Sequence, residues 1–128
     1  MKSLSLASIL LAATIAAVPA QPIVSATTGL TLTLGLEGDS EIRTIAYECE
    51  GIEPLSVEYI NAAPNFLAIV PVNDETLVFT AVLAGSGARY AAGNWIWWTS
   101  GAEASLYDLT QGEDAEPIAT CFEFTNTP

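Results

Sequence analysis

The sequence predicts an all-β fold, either an antiparallel sandwich or a barrel. From residue 42 onward, apolar residues mostly alternate with polar ones, which is the period of a β-strand. The alternating runs are short, and the gaps between them are polar or contain glycine. No stretch shows a convincing amphipathic helix pattern. Many short strands at close spacing are typical of antiparallel sandwiches and barrels.

The successive strand runs can be read along the chain. In "IRTIAYEC", one face carries Ile45, Tyr47 and Cys49, and "PLSVEYI" repeats this alternation. The runs "FLAIVPV" and "TLVFTAVL" follow, joined by the turn formers "NDE". Pro71 has no backbone N–H, so its strand lies at an edge or ends there. The last runs are "NWIWWT", "ASLYDL" and "IATCFEF", with the acidic loop "QGEDAEP" between the final two.

The chain begins with a predicted secretory signal peptide over residues 1–20. A basic residue near the start and an apolar run from Leu4 to Val18 lead to the small-residue exit "VPAQ", which favours cleavage before Gln21. Cleavage after Ala26 is the alternative. The run is short for a spanning helix, which needs about 20 apolar residues. No cysteine follows the run closely, so we expect no stable membrane anchor and a periplasmic or secreted protein.

The remaining chain divides into an extension and one domain. Residues 21–41 contain the alternating segment "GLTLTLGLEG", which forms either an extra strand against the barrel or an extended tail. Residues 42–126 hold the strand runs and have the size of a single ordinary domain.

The charge of the chain narrows its range of partners. After cleavage, two arginines stand against fifteen acids, a formal charge of −13. Such a field disfavours nucleic acid and speeds encounter with cationic proteins. Adaptation of an exported protein to a salty habitat explains the acidity equally well.

The residues that catalysis needs are missing from the sequence. Cys49 and Cys121 lie in an exported chain, so a structural disulfide between them is the default. The chain has no histidine, and the predicted mature chain has no lysine, which removes Ser-His, Cys-His and Schiff-base chemistry and the usual zinc sites. The acids show no pair set apart as in a glycosidase. We therefore predict a recognition protein that is not an enzyme and holds no metal or cofactor.

The densest stretch, "SGARYAAGNWIWWTSG", begins at Ser86 and holds all three tryptophans. Alternation places Trp95 and Trp97 on one face of a strand and Trp98 on the other. Core packing is favoured over partner contact for these tryptophans, because large apolar residues in a small barrel are mostly buried. The two serines and Arg89 flank glycines in predicted loops, where contact with a partner is common.

This stretch resembles the signature of the MliC/PliC family, the membrane-bound or periplasmic inhibitors of c-type lysozyme. That signature reads S-G-x-x-Y-x-x-G-x-x-x-W-x-x-K-G-x-x-A. The matching positions are Ser86, Gly87, Tyr90, Gly93, Trp97, Gly101 and Ala104. Before this stretch, "YECEG" is similar to the family's opening Tyr-x-Cys strand. After it, "ATC" comes in the order expected for the family. The resemblance covers roughly residues 42 to 124.

The resemblance implies an eight-stranded antiparallel β-barrel with one disulfide. It also implies that the loops bearing the signature serine and lysine enter the active-site cleft of a c-type lysozyme. The residues implied to bind lysozyme are Ser86, Gly87, Arg89, Tyr90, Ser100 and Gly101. A c-type lysozyme works through two acids in a groove on a cationic protein, so hydrogen-bond donors and an acidic surface suit its inhibitor.

The chain departs from this signature at Ser100, which stands in the position of the lysine. Losing a charge-assisted contact in a desolvated cleft costs about 2 to 5 kcal/mol of affinity. Arg89 is the only cation nearby in sequence and is the candidate to replace it. Two alternatives therefore stay open: a non-inhibitory binding module that has drifted to another ligand, and an envelope structural protein on the same barrel.

Overall fold

The computed structural model describes residues 10–17, 29, 31, 33 and 38–125. The chain divides into two units, residues 1–33 and 34–128. In the first unit, the described residues are exposed and lie outside any helix or strand. The other residues of the predicted signal peptide, and most of "GLTLTLGLEG", lie outside the described residues. No helix in the described part of the chain is long and apolar enough to cross a membrane.

The second unit contains a closed antiparallel barrel of eight strands, which confirms the predicted fold class. Each strand pairs with the next one along the chain, and β8 pairs with β1. A 3-10 helix, Leu109–Gln111, follows the seventh strand. The strands are β1 Glu41–Glu50, β2 Leu55–Ala62, β3 Asn65–Val72, β4 Glu75–Val82, β5 Ala88–Ala92, β6 Trp95–Ser100, β7 Glu103–Asp108 and β8 Ala119–Glu123.

The alternation seen in the sequence decides which side chains face the interior of the barrel. Along β1, for example, Tyr47 is buried whereas Glu48 is exposed. The "NDE" segment contains the predicted turn between β3 and β4. Its residues Asn73 and Asp74 have φ values of 50° and 64°, the left-handed backbone that a tight two-residue hairpin requires.

The structure corrects two predictions about strands. The strand of Pro71 ends one residue later, at Val72, and a closed barrel offers it no edge, so the strand end is the right alternative. The predicted loop around Arg89 is wrong, because Ala88–Ala92 form β5. The alanines of "ARYAA" are weak strand formers. Pairing with β4 and β6 nevertheless supplies partners for their backbone groups.

A hydrogen-bonded aromatic network occupies the barrel core. Trp97 is fully buried, and its Nε1 donates to the hydroxyl oxygen of Tyr59 at 2.8 Å. The hydroxyl oxygens of Tyr59 and Tyr47 are 2.7 Å apart, and the Tyr47 ring meets Trp97 edge-on at a centroid distance of 5.4 Å. Both tyrosines are protonated at neutral pH and keep these hydrogen bonds, and burial raises the pKa of each above its usual value.

The three tryptophans of β6 divide between the two faces as the alternation predicts. Trp97 lies in the core and Trp95 packs partly buried against it, which confirms the core prediction for this face. That prediction is wrong for Trp98, which lies on the outer face with 39% of its surface exposed. Core packing therefore does not explain why a tryptophan stands at position 98.

The predicted disulfide closes the barrel. Cys49 of β1 lies directly opposite Cys121 of β8, and the two sulfur atoms are bonded at 2.07 Å. Cys121 is fully buried, so the bond lies against the core. It links the first strand to the last, at the seam where the sheet meets itself.

We expect the Cys49→Ala/Cys121→Ala double variant to fold with a free energy of unfolding lowered by about 4 kcal/mol, because the bond restricts a long loop in the unfolded chain. The two cysteines are separated by 72 positions. Urea denaturation of the mature protein measures the change. Wild-type protein under strong reductant is the control and should unfold like the variant. Equal urea midpoints for the oxidised wild type and the double variant would show that the disulfide does not stabilise the fold.

Candidate functional site

One end of the barrel, which we call the loop end, carries the connections after β2, β4 and β6, which are residues 63–64, 83–87 and 101–102. Neighbouring strands of the barrel are antiparallel, so the connections that follow even-numbered strands all lie at the same end. Ser86 and Ser100, which are distant in sequence, are therefore brought to the same end of the molecule.

Ser86 and Ser100 line one depression of about 210 Å³ on the outside of the loop end. Ser100 pairs with Glu103 across the β6–β7 turn, and alternate residues of a strand share a face. The depression therefore presents hydroxyl groups and a carboxylate together. The other residues that line it are Trp98, Glu103, Ser105 and Tyr107.

The backbone of Ser86 and Gly87 is held against β6, an arrangement that we call the loop clamp. Trp98 Nε1 donates to the carbonyl oxygen of Ser86 at 3.0 Å. Gly87 has a φ of 65°, and a Cβ at this position would collide with the carbonyl oxygen of Thr99. Glycine adopts such left-handed backbone without steric cost and allows this close approach. The clamp places Ser86 beside the end of β6 before any partner arrives.

Gly101 has a matching backbone role in the second connection. Its φ of 60° starts the two-residue turn from β6 to β7. Such tight hairpins need left-handed residues at the turn. The turn fixes the register in which Ser100 lies opposite Glu103. Gly87 and Gly101 thus position the serines through the backbone.

The structure separates Arg89 and Tyr90 from the two serines. Tyr90 is only 7% exposed, and its ring centroid lies 5.8 Å from that of Tyr59, so it belongs mainly to the core. Burial raises its pKa as well. Arg89 pairs in register with Trp98 and lines a neighbouring groove rather than the depression. Arg89 therefore does not stand in the position that a side chain at Ser100 would occupy.

Charge is distributed unevenly between the two ends of the barrel. Arg43 and Arg89 lie near the starts of β1 and β5, at the loop end. The strand ends and connections of the opposite end hold no basic residue among those described. The acids there are Glu50, Glu53, Asp74, Glu75, Asp108, Glu113, Asp114 and Glu116.

Sequence reasoning missed two residues of this site. Trp98 is not one of the signature positions, yet it holds the Ser86 carbonyl. Its outward position was visible in the alternation of β6, but its hydrogen bond required the fold. Glu103 follows the turn closely, and a two-residue hairpin would have predicted its pairing with Ser100.

The depression is suited to hydrogen bonding with an acceptor on a partner. The hydroxyls of Ser86 and Ser100 can each donate one hydrogen bond and are exposed. The chain has no histidine that could activate either serine as a nucleophile. Within the described residues, no group of histidine, cysteine, aspartate and glutamate side chains is arranged to hold a metal ion.

Comparison with known proteins identifies the family of this chain. The family described as membrane-bound lysozyme-inhibitor of c-type lysozyme matches residues 47–115. A relative of that name from Pseudomonas aeruginosa is 48% identical over 90 residues, covering 67% of this chain and 71% of the relative. One from Cupriavidus necator is 39% identical over 82 residues, covering 63% of this chain and 66% of the relative.

A solved structure has the same fold. It is MliC of Pseudomonas aeruginosa in complex with hen egg white lysozyme, which superposes with a TM-score of 0.61 at 40% sequence identity. The match covers 75% of this chain and 98% of that one. The resemblance inferred from the signature is thereby confirmed, and this chain belongs to the family of membrane-bound lysozyme inhibitors of c-type lysozyme.

Proposed function

We propose that the protein inhibits a c-type lysozyme by entering its active-site cleft with the loop end. The observation that carries this proposal is that Ser86 and Ser100 line one depression beside the clamped connection. A lysozyme cleft holds two acidic side chains. The Ser86 hydroxyl would donate a hydrogen bond to one of them, and hydrogen bonds to charged acceptors are the stronger kind. The names of the relatives and the lysozyme bound to the Pseudomonas protein support this partner.

The charge distribution favours the loop end as the contacting surface. The two described arginines lie at this end, whereas the opposite end carries acids without a base. The less acidic end meets less repulsion from the cleft carboxylates. The acidic remainder of the barrel faces outward, where it attracts the cationic surface around the cleft and speeds association.

The depression predicts weaker inhibition than a relative with the signature lysine would give. Ser100 offers a hydroxyl but no charge, and it is too short to reach as far as an ammonium group. The carboxylate of Glu103 lines the same depression and would repel an acid in the cleft. Loss of the lysine contact corresponds to roughly a 30-fold to several-thousand-fold weaker Kd.

The same observation favours one alternative function. The lining of the depression contains Glu103 and no cation. A binding module that has drifted to a partner with a cationic group would present such a surface. This alternative, or an envelope structural protein on the same barrel, requires that the loop end does not enter a lysozyme cleft.

The proposal includes export of the protein. A signal peptide over residues 1–20 would deliver an extension, residues 21–41, and a barrel domain, residues 42–126, to the periplasm or the medium. The relatives are named membrane-bound, which implies a place in the cell envelope. That name is partly at odds with the prediction that the protein has no stable membrane anchor. Fractionation of cells that express the full chain would decide between a released and a membrane-held protein.

We expect mature wild-type protein to inhibit bacterial-wall lysis by a c-type lysozyme, and Ser86→Ala to raise the inhibition constant roughly ten- to a hundredfold. The variant loses a hydrogen bond to a charged group, worth about 1.5 to 3 kcal/mol. Ser86 is exposed, so the fold should be unchanged. The matched control is Ser56→Ala, an exposed serine of β2, which should inhibit like wild type.

Two outcomes of this assay would count against the proposal. Absence of inhibition and of binding at micromolar wild-type protein, at both low and moderate salt, would reject lysozyme as the partner. Inhibition that is equal in wild type and Ser86→Ala would keep the partner but reject the role of Ser86.

We expect Ser100→Lys to tighten inhibition by about 30-fold or more, because it restores a charge-assisted contact with a cleft carboxylate. Glu103→Gln should tighten it less, since it only removes repulsion. The same lysis assay at two salt concentrations measures both, and the gain should shrink as salt rises. An unchanged inhibition constant for Ser100→Lys would mean that this position does not face the cleft acids.

A further inference from the structure

An apolar groove of about 420 Å³ lies on the outer face of the barrel beside the depression. Trp98 and Tyr107 line both hollows, so the clamped indole is part of the boundary between them. The groove is therefore continuous with the surface that we propose enters the lysozyme cleft. The remaining residues that line the groove are Leu83, Ala84, Gly85, Arg89, Ile96, Leu109 and Glu113.

The groove exposes apolar surface that the fold itself does not require. Leu83 is 96% exposed, and it lies in the same connection as Ser86. Leu109 on the 3-10 helix is 37% exposed, close to the value for Trp98. In a strongly acidic chain, a cluster of exposed apolar side chains in a hollow is typical of a surface that meets a partner.

We propose that this groove is a second contact region of the inhibitor and receives an apolar side chain from the wall of the lysozyme cleft. This inference rests on the proposed function, because the same lysozyme molecule would fill both hollows. The occupant follows from the chemistry of the partner. A cleft that binds a polysaccharide is lined largely by apolar and aromatic side chains around a few polar groups.

The edges of the groove suit the same occupant. Arg89 has no ion-pair partner within 4.0 Å among the described residues. It lines the groove together with Glu113. An apolar centre edged by charged side chains can exclude water around the apolar contact. Apolar burial here would offset part of the affinity that Ser100 does not supply.

The test compares inhibition of a c-type lysozyme by wild type, Leu83→Ser, Leu109→Ser and the control Pro71→Ser. Pro71 is exposed near the end of β3, at the end of the barrel opposite the loop end. We expect Leu83→Ser to weaken inhibition about tenfold, as for burial of one leucine side chain. Leu109→Ser should weaken it less, and Pro71→Ser should leave it unchanged. The ratio between Leu83→Ser and wild type should not depend on salt, because apolar contacts are not screened.

Each other outcome overturns the inference in a distinguishable way. If wild type inhibits lysozyme and both leucine variants inhibit it equally well, the groove is not a contact region, but the proposed function stands. A loss with Leu83→Ser but not with Leu109→Ser would confine the contact to the 83–87 connection. A change in sedimentation instead of inhibition would assign the groove to self-association, and a lowered unfolding midpoint without loss of inhibition would show that the leucines serve only the stability of the barrel. A wild type that does not inhibit would remove both proposals.

Discussion

The site depends on the contact of one connection with one strand. The carbonyl of Ser86 accepts a hydrogen bond from the Trp98 indole, and Gly87 packs against the Thr99 carbonyl. The adjacent residue, Trp97, is anchored in the core through Tyr59. Neighbouring tryptophans of β6 thus act on opposite sides of the sheet: one holds the strand to the interior, and the other holds the connection to the strand. A partner would meet a preformed surface, with little ordering entropy left to lose on binding.

Electrostatics set the strength of the proposed inhibition more than the fold does. The barrel and the clamp would place a side chain at Ser100 beside Ser86 whatever that side chain is. Here that position holds a neutral hydroxyl, and Glu103 adds a negative charge next to it. The acidity of the whole chain acts over longer range and affects the rate of encounter more than the lifetime of the complex. The apolar groove, which shares Trp98 and Tyr107 with the depression, could lengthen that lifetime.

The sequence predicted the barrel well where alternation was strong and failed where it was weak. The runs around Tyr47 and Trp97 correctly predicted two strands and which of their residues are buried, because side chains alternate between the two faces of a strand. The alanine-rich β5 was missed, since alanine is a weak strand former and the pairing of β5 with β4 and β6 is visible only in the fold. Within the site, the turn glycines were readable from the signature. The Trp98 hydrogen bond was not readable, because it joins two segments whose proximity exists only in the closed barrel.

The central claim is that the loop end occupies the active-site cleft of a c-type lysozyme. Calorimetric titration of the mature protein into lysozyme, with and without a saturating oligosaccharide of N-acetylglucosamine in the cleft, tests it directly. The account predicts competition: the apparent Kd should rise by a factor of one plus the ratio of the free oligosaccharide concentration to its own dissociation constant, as for two ligands of one site. An unchanged Kd with the cleft fully occupied would show that the protein binds lysozyme elsewhere and would contradict the account.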